Sequence, residues 1–526
     1  MSGPPGVPAT IAVIGAGTMG TGIAQLAAEA GARTLLHDPV PEALERGIAG
    51  IGAALDRLVA KGRRSAEQAA AVRERIAPAA TLEELAPAGL VIEAAPERLE
   101  LKLELFGRLA AIVAPDAVLA TNTSSLSVTE IAAGTPGSER VVGLHFFNPA
   151  PVMKLVEVVA GEHSSPAALA VARATGEAMG KHVVDAADVA GFLVNRVNRP
   201  FSLEALRLLQ ERIADVATID RIVRQGGGFR MGPFELMDLI GIETNHAVAE
   251  AFQRQTYGEP RYQPSPLAAR KIQAGQLGRK SGHGWFAYAD GTPHRPADEP
   301  LPAAGGGDGR TLAIAGALPI ADELRQAAEA AGFAVVAADG GGPEPWLTID
   351  ARVADDGPLP AGPRALLLAR GSLHQLDPTA AGFHALAPLA PSALVEVTST
   401  VRSAPAAVER LAAFVTAIGR RPQPVADAPG LALGRIVAQL INEAAFLIGE
   451  GNGTPDDVDA GMRLGVNHPR GPVAWSRALG LEHVVAILDA LVRERGEPRY
   501  RVAPLLRQRL AVGLDLAAPD PAPDPS

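Results

Sequence analysis

The chain has 526 residues, of which 47% are hydrophobic and 20% charged, a composition that excludes disorder over most of its length, and its net charge of −10 argues against a nucleic acid or an acidic membrane surface as partner. It contains 0 cysteines, which excludes disulfide frameworks, thiolate metal sites and thioester chemistry, and we expect no metal. Neither a secretory leader nor an apolar run of about 18–20 residues is evident, so a cytoplasmic location is predicted.

Short apolar segments alternate with helical stretches over the first part of the chain. Thr10-Ile-Ala-Val-Ile14 is a continuous apolar run typical of a buried parallel strand, and a helix and a second strand over 32–36 follow it. This alternation predicts a doubly wound α/β sheet over residues 8–188. The other predicted elements of this domain are a helix over 96–113 and strands over 90–92, 118–120, 141–144 and 155–159.

The pattern changes after Gly191 to long segments with helical periodicity. They predict an all-α domain over 189–288, and the proline- and glycine-rich stretch over 289–310 is typical of a linker. The segment 516–526 alternates Pro and Asp and is predicted to be a disordered tail.

The second half of the chain repeats the first. Upstream, Thr311-Leu-Ala-Ile-Ala-Gly316 matches the segment that begins at Thr10, 301 residues earlier (311 − 10). We therefore predict a degenerate second copy, with a shortened sheet domain over 311–427 and a second helical domain over 428–515. Downstream, the residues Gly191, Glu204, Asp220, Gly232, Pro233 and Gly241 recur 239 residues later (430 − 191) as Gly430, Glu443, Asp459, Gly471, Pro472 and Gly480.

A glycine pattern directly after the first strand is typical of a dinucleotide-binding turn. Gly15 allows a tight turn, Gly17 lets the backbone approach a pyrophosphate, and Gly20 lets the helix pack on the strand. Asp38 ends the next strand, where its carboxylate can accept a bond from a ribose 2′-OH and would repel a 2′-phosphate. We therefore predict a domain of the Rossmann type that binds NAD rather than NADP. The turn reads Gly15-Ala-Gly17-Thr18-Met19-Gly20.

Three polar segments follow predicted strands, at the sheet edge where open α/β sheets bind ligands. An enzyme that oxidises an alcohol needs a base that titrates near neutral pH and a carboxylate to orient it. His145 and Glu157 supply this pair, although each alone is also typical of a structural residue. The segments are Asn122-Thr-Ser124-Ser125, His145-Phe-Phe-Asn148-Pro149 and Lys154-Leu-Val-Glu157.

Together these motifs resemble the L-3-hydroxyacyl-CoA dehydrogenase family, and in particular its two-copy bacterial type. The resemblance covers residues 10–288 and implies an acyl-CoA substrate, with NAD as cofactor. It implies His145 as the base, Glu157 as its partner, and Ser124 and Asn195 as polar groups around substrate and imidazole. It also implies a set of lysine, acidic and amide side chains near the ligands: Glu97, Lys102, Asn148 and Lys280 near the cofactor and Lys61 near the CoA. The motifs that carry it are Gly15-Ala-Gly-Thr-Met-Gly20, Asn122-Thr-Ser-Ser-Leu126, Gly143-Leu-His-Phe-Phe-Asn-Pro149, Met153-Lys-Leu-Val-Glu157, Gly191-Phe-Leu-Val-Asn-Arg196 and Gly278-Arg-Lys-Ser-Gly-His-Gly284.

Other interpretations stay open at this point. Asn195 is by default a helix N-terminal residue, and Lys61, Lys102 and Lys280 are by default surface lysines. The alternative functions are an NAD-dependent dehydrogenase of a small hydroxyacid and a non-catalytic NAD-binding scaffold. The acyl group is also open, since two-copy members of the family serve phenylacetate or adipate-type degradation as well as the oxidation of short fatty acyl chains.

The second copy is predicted to lack a cofactor site. Leu318 and Ala321 stand where the first copy has Gly17 and Gly20, and side chains there intrude on the pyrophosphate. His384 and Glu396 match His145 and Glu157 and are interpreted as a remnant or a structural hydrogen bond. We expect the two helical domains to form an internal pseudo-dimer, with segment 431–447 covering the face of 192–208, and a homo-oligomer is possible.

Overall fold

The computed structural model describes residues 6–289, 292–339, 343–354 and 357–519. Its first sheet has eight strands in the order β3-β2-β1-β4-β5-β6-β7-β8, parallel except between β6 and β7. The predicted strands are all present, and β3 and β8 are additional, because their Pro, His and Asp residues conceal them in the sequence. The strands are β1 (Thr10–Ile14), β2 (Arg33–His37), β3 (Ile76–Ala79), β4 (Leu90–Glu93), β5 (Val118–Thr121), β6 (Val141–Phe146), β7 (Leu155–Ala160) and β8 (His182–Ala187).

Helices cover this sheet and bury its apolar strands. Ile11, Val13 and Ile92 are fully buried in a core that the small residues of the first helix, such as Ala24 and Ala27, also enter. The predicted helix over 96–113 begins three residues later than expected. The helices are α1 (Thr18–Glu29), α2 (Pro41–Ala60), α3 (Ala66–Arg75), α4 (Leu99–Ile112), α5 (Val128–Ala133), α6 (Pro166–Ala178) and the short α7 (Val194–Val197).

A helical segment follows, as the sequence predicts. One of its turns, Ile222–Gly226, is a π-helix that continues α9. The α-helices are α8 (Arg199–Gln210), α9 (Val216–Arg221), α10 (Pro233–Ile240), α11 (Ile242–Gln255) and α12 (Pro266–Gln273).

The second sheet repeats the strand order of the first, without a counterpart of β3 among the described residues. Its order is β10-β9-β11-β12-β13-β14-β15, and the β13–β14 pair is antiparallel, as β6–β7 is. The elements are β9 (Thr311–Ala315), α13 (Pro319–Ala330), β10 (Ala334–Val336), β11 (Leu347–Asp350), β12 (Arg364–Leu367), α14 (Leu373–Leu376), β13 (Ala381–His384), β14 (Leu394–Thr398), α15 (Pro405–Ala417) and β15 (Arg421–Pro424).

The last helical segment comprises α16 (Leu433–Gly449), α17 (Pro455–Gly465), α18 (Pro472–Leu479), α19 (Leu481–Arg495) and α20 (Pro504–Ala511). The long helix α16, which is buried from Leu433 to Leu447, packs against α8. Arg435 on α16 is completely buried and donates to Glu204 on α8 through Nε at 2.8 Å. The fold class is thus a Rossmann-type sheet followed by an all-α domain, with the pair duplicated.

The chain forms two compact units. One comprises the chain up to Arg196 together with Asn452–Val466, and the other comprises Val197–Gly451 together with the chain from Asn467 onward. The second unit includes the start of the predicted tail, where Leu516 is buried and the carbonyl of Ala518 accepts from Arg509, so the packed chain continues past residue 515. Residues 520–526 lie outside the described residues. Within the described part of the chain, no helix has both the length and the apolar character needed to cross a bilayer.

Candidate active site

The glycine turn between β1 and α1 has the geometry that the sequence predicts. Gly15 has a φ of +97°, and a Cβ on it would lie 2.6 Å from the carbonyl oxygen of Ala94. A Cβ on Gly20 would lie 1.7 Å from the carbonyl oxygen of Gly15, so the helix could not pack as it does. Among the described residues other than its two neighbours in the chain, none has an atom within 4 Å of a Cβ on Gly17. Close packing explains why Gly15 and Gly20 have no side chain. The open space at Gly17 fits a phosphate group that approaches the backbone.

Asp38 lies half-buried just after β2 and is tied to this turn. Its Oδ2 accepts from the N–H of Ala16 at 2.8 Å, and its Oδ1 accepts from Val40 N–H at 3.0 Å. The carboxylate therefore holds the glycine turn as well as lying where a ribose would bind.

His145 and Glu157 form a buried pair on neighbouring strands. They are direct partners in the antiparallel register of β6 and β7, which places their side chains on the same face of the sheet. Nδ1 of His145 lies 2.6 Å from Oε2 of Glu157, and the two residues are 6% and 0% exposed. Because the carboxylate accepts the Nδ1 proton, Nε2 is left as the nitrogen that can take a proton from a substrate.

The other oxygen of Glu157 is held by the start of α7. Oε1 accepts from the backbone N–H of Leu193 at 3.2 Å and of Val194 at 2.9 Å. Asn195 is the next residue on this helix and is half-buried. One carboxylate thus fixes the imidazole and the helix that carries Asn195, two features that the sequence does not link.

Two aromatic rings flank the imidazole. The ring of Phe147 lies 4.6 Å and that of Phe192 lies 5.8 Å from the His145 ring, measured between centroids. They pack against the imidazole and shield the His145–Glu157 pair from water. The sequence does not predict this role, although Phe147 stands in the motif that ends at Pro149 and Phe192 follows Gly191.

Lys102 is buried, which corrects the default interpretation of a surface lysine. Its Nζ lies 2.6 Å from Oε1 of Glu93 and 3.4 Å from Oε2 of Glu97. Thr121 donates to the other oxygen of Glu93 at 2.7 Å. The sequence does not predict a role for Glu93, whose only signal is that a carboxylate ends the apolar run Leu90-Val-Ile-Glu93.

Glu97 joins the end of β4 to the polar turn after β5. Its Oε1 accepts from the N–H of Ser124 at 2.9 Å and from the hydroxyl of Thr123 at 2.6 Å. Burial would raise the pKa of Glu97, but the charge of Lys102 and the hydrogen bonds from Thr123, Ser124 and Ser125 outweigh it and hold this pKa below its usual range. Ser124 is therefore fixed by a carboxylate rather than by packing.

Three further predicted residues are exposed. Asn148 is exposed just after β6, and Lys61 is exposed at the end of α2. Lys280 belongs to the second unit, where it pairs with Glu243.

The second copy keeps the strand register of the pair without its hydrogen bond. His384 and Glu396 are direct partners on β13 and β14, but Nε2 of His384 lies 3.1 Å from Nε2 of His483, and its Nδ1 has no hydrogen-bond partner among the described residues. Gly434 stands at the position that corresponds to Asn195 in the first copy, and a Cβ on it would lie 2.3 Å from Cε1 of His384. Burial, together with His483, holds the pKa of His384 well below its usual value.

Both oxygens of Glu396 are used by the backbone. The N–H of Ala432 donates to Oε1 at 2.8 Å and that of Leu433 donates to Oε2 at 3.0 Å, whereas in Glu157 both N–H groups share one oxygen. Burial raises the pKa of Glu396 to about 8 despite these bonds. The glycine turn has changed as well, since Leu318 is buried in the core of the second sheet domain.

A glycine turn that fits a phosphate, an acidic residue after the second strand and a buried histidine–carboxylate pair together define a dinucleotide-dependent dehydrogenase. Comparison with known proteins agrees. The model of the 3-hydroxyacyl-CoA dehydrogenase NAD-binding domain matches residues 10–189, and that of the C-terminal domain matches residues 191–288 and 430–515.

The chain is 38% identical over 501 residues to 3-hydroxyadipyl-CoA dehydrogenase of Escherichia coli K12, covering 95% of this chain and 97% of that one. It is 42% identical over 282 residues to a probable 3-hydroxybutyryl-CoA dehydrogenase of Bacillus subtilis, covering 54% of this chain and 98% of the other. A crystal structure of 3-hydroxybutyryl-CoA dehydrogenase from Escherichia coli K12 superimposes with a TM-score of 0.82 and 35% identity, over 96% of this chain and 98% of that one.

The chain belongs to the 3-hydroxyacyl-CoA dehydrogenase family. The predicted fold class, the NAD cofactor and the predicted reaction, the NAD-dependent oxidation of a 3-hydroxyacyl-CoA, are those of this family.

Proposed function

We propose that His145 is the general base that removes the proton from the 3-hydroxyl of an L-3-hydroxyacyl-CoA. The observation that carries this proposal is the bond of 2.6 Å between Nδ1 of His145 and a fully buried Glu157, which leaves Nε2 for the substrate. In the reverse direction the same nitrogen returns the proton to a 3-oxoacyl-CoA.

Glu157 stabilises the imidazolium that forms when His145 accepts the proton. Its charge is effective because the site excludes water and because the N–H groups of Leu193 and Val194 fix the carboxylate. Ser124 and Asn195 are the groups that we assign to the reacting oxygen. Their backbone positions are held by Glu97 and by the start of α7, respectively, so little reorganisation is needed when substrate binds.

The cofactor site that we propose lies at the glycine turn and the edge of the sheet next to it. NAD, when bound there, supplies the acceptor for the hydride from C3 of the substrate. The turn from Gly15 to Gly20, with Thr18 and Met19, would hold the cofactor: Gly15 and Gly20 shape the turn, Gly17 leaves room for the pyrophosphate, and Asp38 would bind the ribose. Glu97, Asn148 and Lys280 are assigned to the cofactor.

Lys102 acts on the cofactor site through the two carboxylates that it contacts, those of Glu93 and Glu97. Its side chain is 1% exposed and its ammonium contacts Glu93 and Glu97, so we assign Lys102 to the orientation and charge of Glu97 rather than to a direct contact with the cofactor.

The substrate is a CoA thioester with a short acyl chain or one that ends in a carboxylate, and Lys61 is assigned to the CoA. The names of the relatives, 3-hydroxybutyryl-CoA and 3-hydroxyadipyl-CoA dehydrogenase, support both options, and with them a role in fatty acid β-oxidation or in phenylacetate degradation. A cytoplasmic location also remains a prediction.

The two helical copies form an internal pseudo-dimer. Single-copy relatives match only about half of this chain, and the packing of α8 on α16 around the buried Arg435–Glu204 pair supports the proposal that the second copy takes the place of a partner subunit. Whether two such chains associate is a separate question that analytical ultracentrifugation answers.

The test is the loss of NADH absorbance in the presence of acetoacetyl-CoA. Turnover supports the dehydrogenase, and a panel of 3-oxoacyl-CoA thioesters with and without a terminal carboxylate assigns the acyl group. NADH binding without turnover on any thioester would instead support a scaffold, and turnover on small 2- or 3-hydroxyacids alone would support the hydroxyacid alternative.

A further inference from the structure

One helix of the second copy packs against the strand that carries Glu157. The segment Asn452–Val466, which contains α17, belongs to the same compact unit as the first sheet. There α17 packs against β7 and β8. A helix from the second half of the chain thus packs on the sheet that holds the His145–Glu157 pair.

Two glycines of α17 form the closest approach. A Cβ on Gly461 would lie 2.8 Å from Cδ2 of Leu193 and 2.9 Å from Cγ2 of Val194. A Cβ on Gly465 would lie 2.8 Å from Cδ2 of Leu155, 3.3 Å from Cγ1 of Val194 and 3.4 Å from the ring of Phe147. The glycines are four residues apart and therefore lie on the same face of the helix.

The backbone of α17 does not require glycine at these positions. Neither Gly461 nor Gly465 has a positive φ, and a glycine inside a helix costs about 1 kcal/mol relative to alanine. Close packing against Leu155, Leu193 and Val194 is what the two glycines make possible.

The residues that they contact are those that hold the catalytic pair. Leu193 and Val194 donate their N–H groups to Glu157, and the Phe147 ring packs on His145 with 4.6 Å between centroids. We propose that Gly461 and Gly465 are positioning residues of the catalytic centre, through which the second copy sets the geometry of His145 and Glu157. This inference rests on the proposed function.

The duplication supplies a matched control. Gly226, the counterpart of Gly465 in the first copy, lies in the second unit, where a Cβ on it would lie 3.1 Å from Cδ2 of Leu433 and 3.2 Å from Cδ1 of Leu394. These leucines are the counterparts of Val194 and Leu155 at the same spacing of 239 (465 − 226). Gly226→Ala therefore introduces the same methyl group beside the copy that lacks the paired histidine.

The experiment compares Gly461→Ala, Gly465→Ala and Gly226→Ala for kcat, KM, NADH dissociation constant and pH dependence. We expect kcat of Gly461→Ala to fall at least about 10-fold, since small misplacements of a catalytic group are costly, while the NADH dissociation constant stays within about 2-fold. In the oxidation of the 3-hydroxyacyl-CoA, the pH profile of kcat/KM should differ from that of the wild type, because the contact between His145 and Glu157 changes. Gly465→Ala should show a smaller effect in the same direction, and Gly226→Ala none.

Leu193→Val shortens the side chain that the new methyl group meets. The double variant Gly461→Ala/Leu193→Val should recover most of the lost kcat, which a general loss of stability would not explain. If Gly461→Ala fails to fold, Gly465→Ala and its comparison with Gly226→Ala decide the matter alone.

Wild-type turnover is measured first. Its absence would refute the proposed function and the inference with it. An active wild type in which the α17 variants match Gly226→Ala in kcat and in pH profile would refute the inference alone.

Discussion

Replacing Glu157 by glutamine should inactivate His145 by reversing its tautomer. The N–H groups of Leu193 and Val194 both point at Oε1, so the amide oxygen of a glutamine must face them. Its NH₂ group then faces Nδ1 of His145 and donates to it. The imidazole must accept at Nδ1 and carry its proton on Nε2, where the substrate hydroxyl would need an acceptor.

The expected loss follows from the charge and from the tautomer. A carboxylate about 4 Å from the centre of an imidazolium stabilises it by about 4 kcal/mol at an effective dielectric constant near 20. That energy corresponds to about 10³-fold in kcat, and the wrong tautomer adds to it. The assay is the reduction of NAD by L-3-hydroxybutyryl-CoA at saturating cofactor, the direction in which Nε2 must accept the hydroxyl proton, with NADH binding followed separately by fluorescence.

Glu396→Gln is the matched control. It changes the register-equivalent carboxylate and removes one acceptor from Leu433, so it should lower stability while kcat stays within about 2-fold of wild type. A Glu157→Gln enzyme with kcat within about 3-fold of wild type would refute the assignment of Glu157 as the partner of the base.

Four further outcomes are expected. His145→Gln should lower kcat at least about 100-fold and leave the NADH dissociation constant nearly unchanged, as measured by steady-state kinetics and fluorescence titration. Asp38→Ala should lower the ratio of kcat/KM for NAD over NADP, because the charge that repels a 2′-phosphate is lost. Isothermal titration should give one NADH per chain, since Leu318 fills the second glycine turn, and His384→Gln should leave kcat unchanged. Burial lowers the pKa of His483 to about 4, so between about pH 6.5 and 4 the unfolded chain binds a proton that the folded chain does not. The free energy of unfolding should therefore fall as the pH drops through this range, by about 1.4 kcal/mol per pH unit for each buried neutral histidine. The urea midpoint of His483→Gln should depend less on pH than that of the wild type.

Each of these expectations has a contrary result. Near wild-type turnover of His145→Gln, an unchanged coenzyme ratio in Asp38→Ala, two NADH molecules per chain, or a urea midpoint with the same pH dependence in wild type and His483→Gln would each overturn the corresponding assignment.

Much of the fold could be predicted because buried parallel strands and the glycine turn have strong local patterns. The strand with the sequence Ile76-Ala-Pro-Ala79 has no such pattern, and its place at the sheet edge is what makes its proline acceptable. The order of sheet and helical segments could be predicted as well, since the repeat itself marks the copies. The attachment of α17 to the first sheet could not, because it depends on the tertiary arrangement and not on local sequence.

For the site, sequence and resemblance together named the residues of the pair but not what holds them. His145 and Glu157 lie opposite each other only because β6 and β7 are antiparallel, and the sequence predicted strands without their direction. Lys102 shows the same limit, since helical spacing predicts a solvated lysine and only the fold reveals that Glu93 lies next to its ammonium.

The second copy explains why a motif match alone does not identify a site. Glu396 keeps a structural role, because it accepts N–H groups at the start of α16 as Glu157 accepts those at the start of α7. With both of its oxygens engaged and a glycine at Gly434, the His384 ring occupies the space of an amide side chain and bonds to His483 instead. The glutamate side chain thus accepts the N–H groups at the start of a helix in both copies, and we assign it to proton transfer in one. In the second copy each oxygen of Glu396 accepts one backbone N–H group. In the first copy both backbone N–H groups donate to Oε1 of Glu157, which leaves Oε2 free to orient an imidazole.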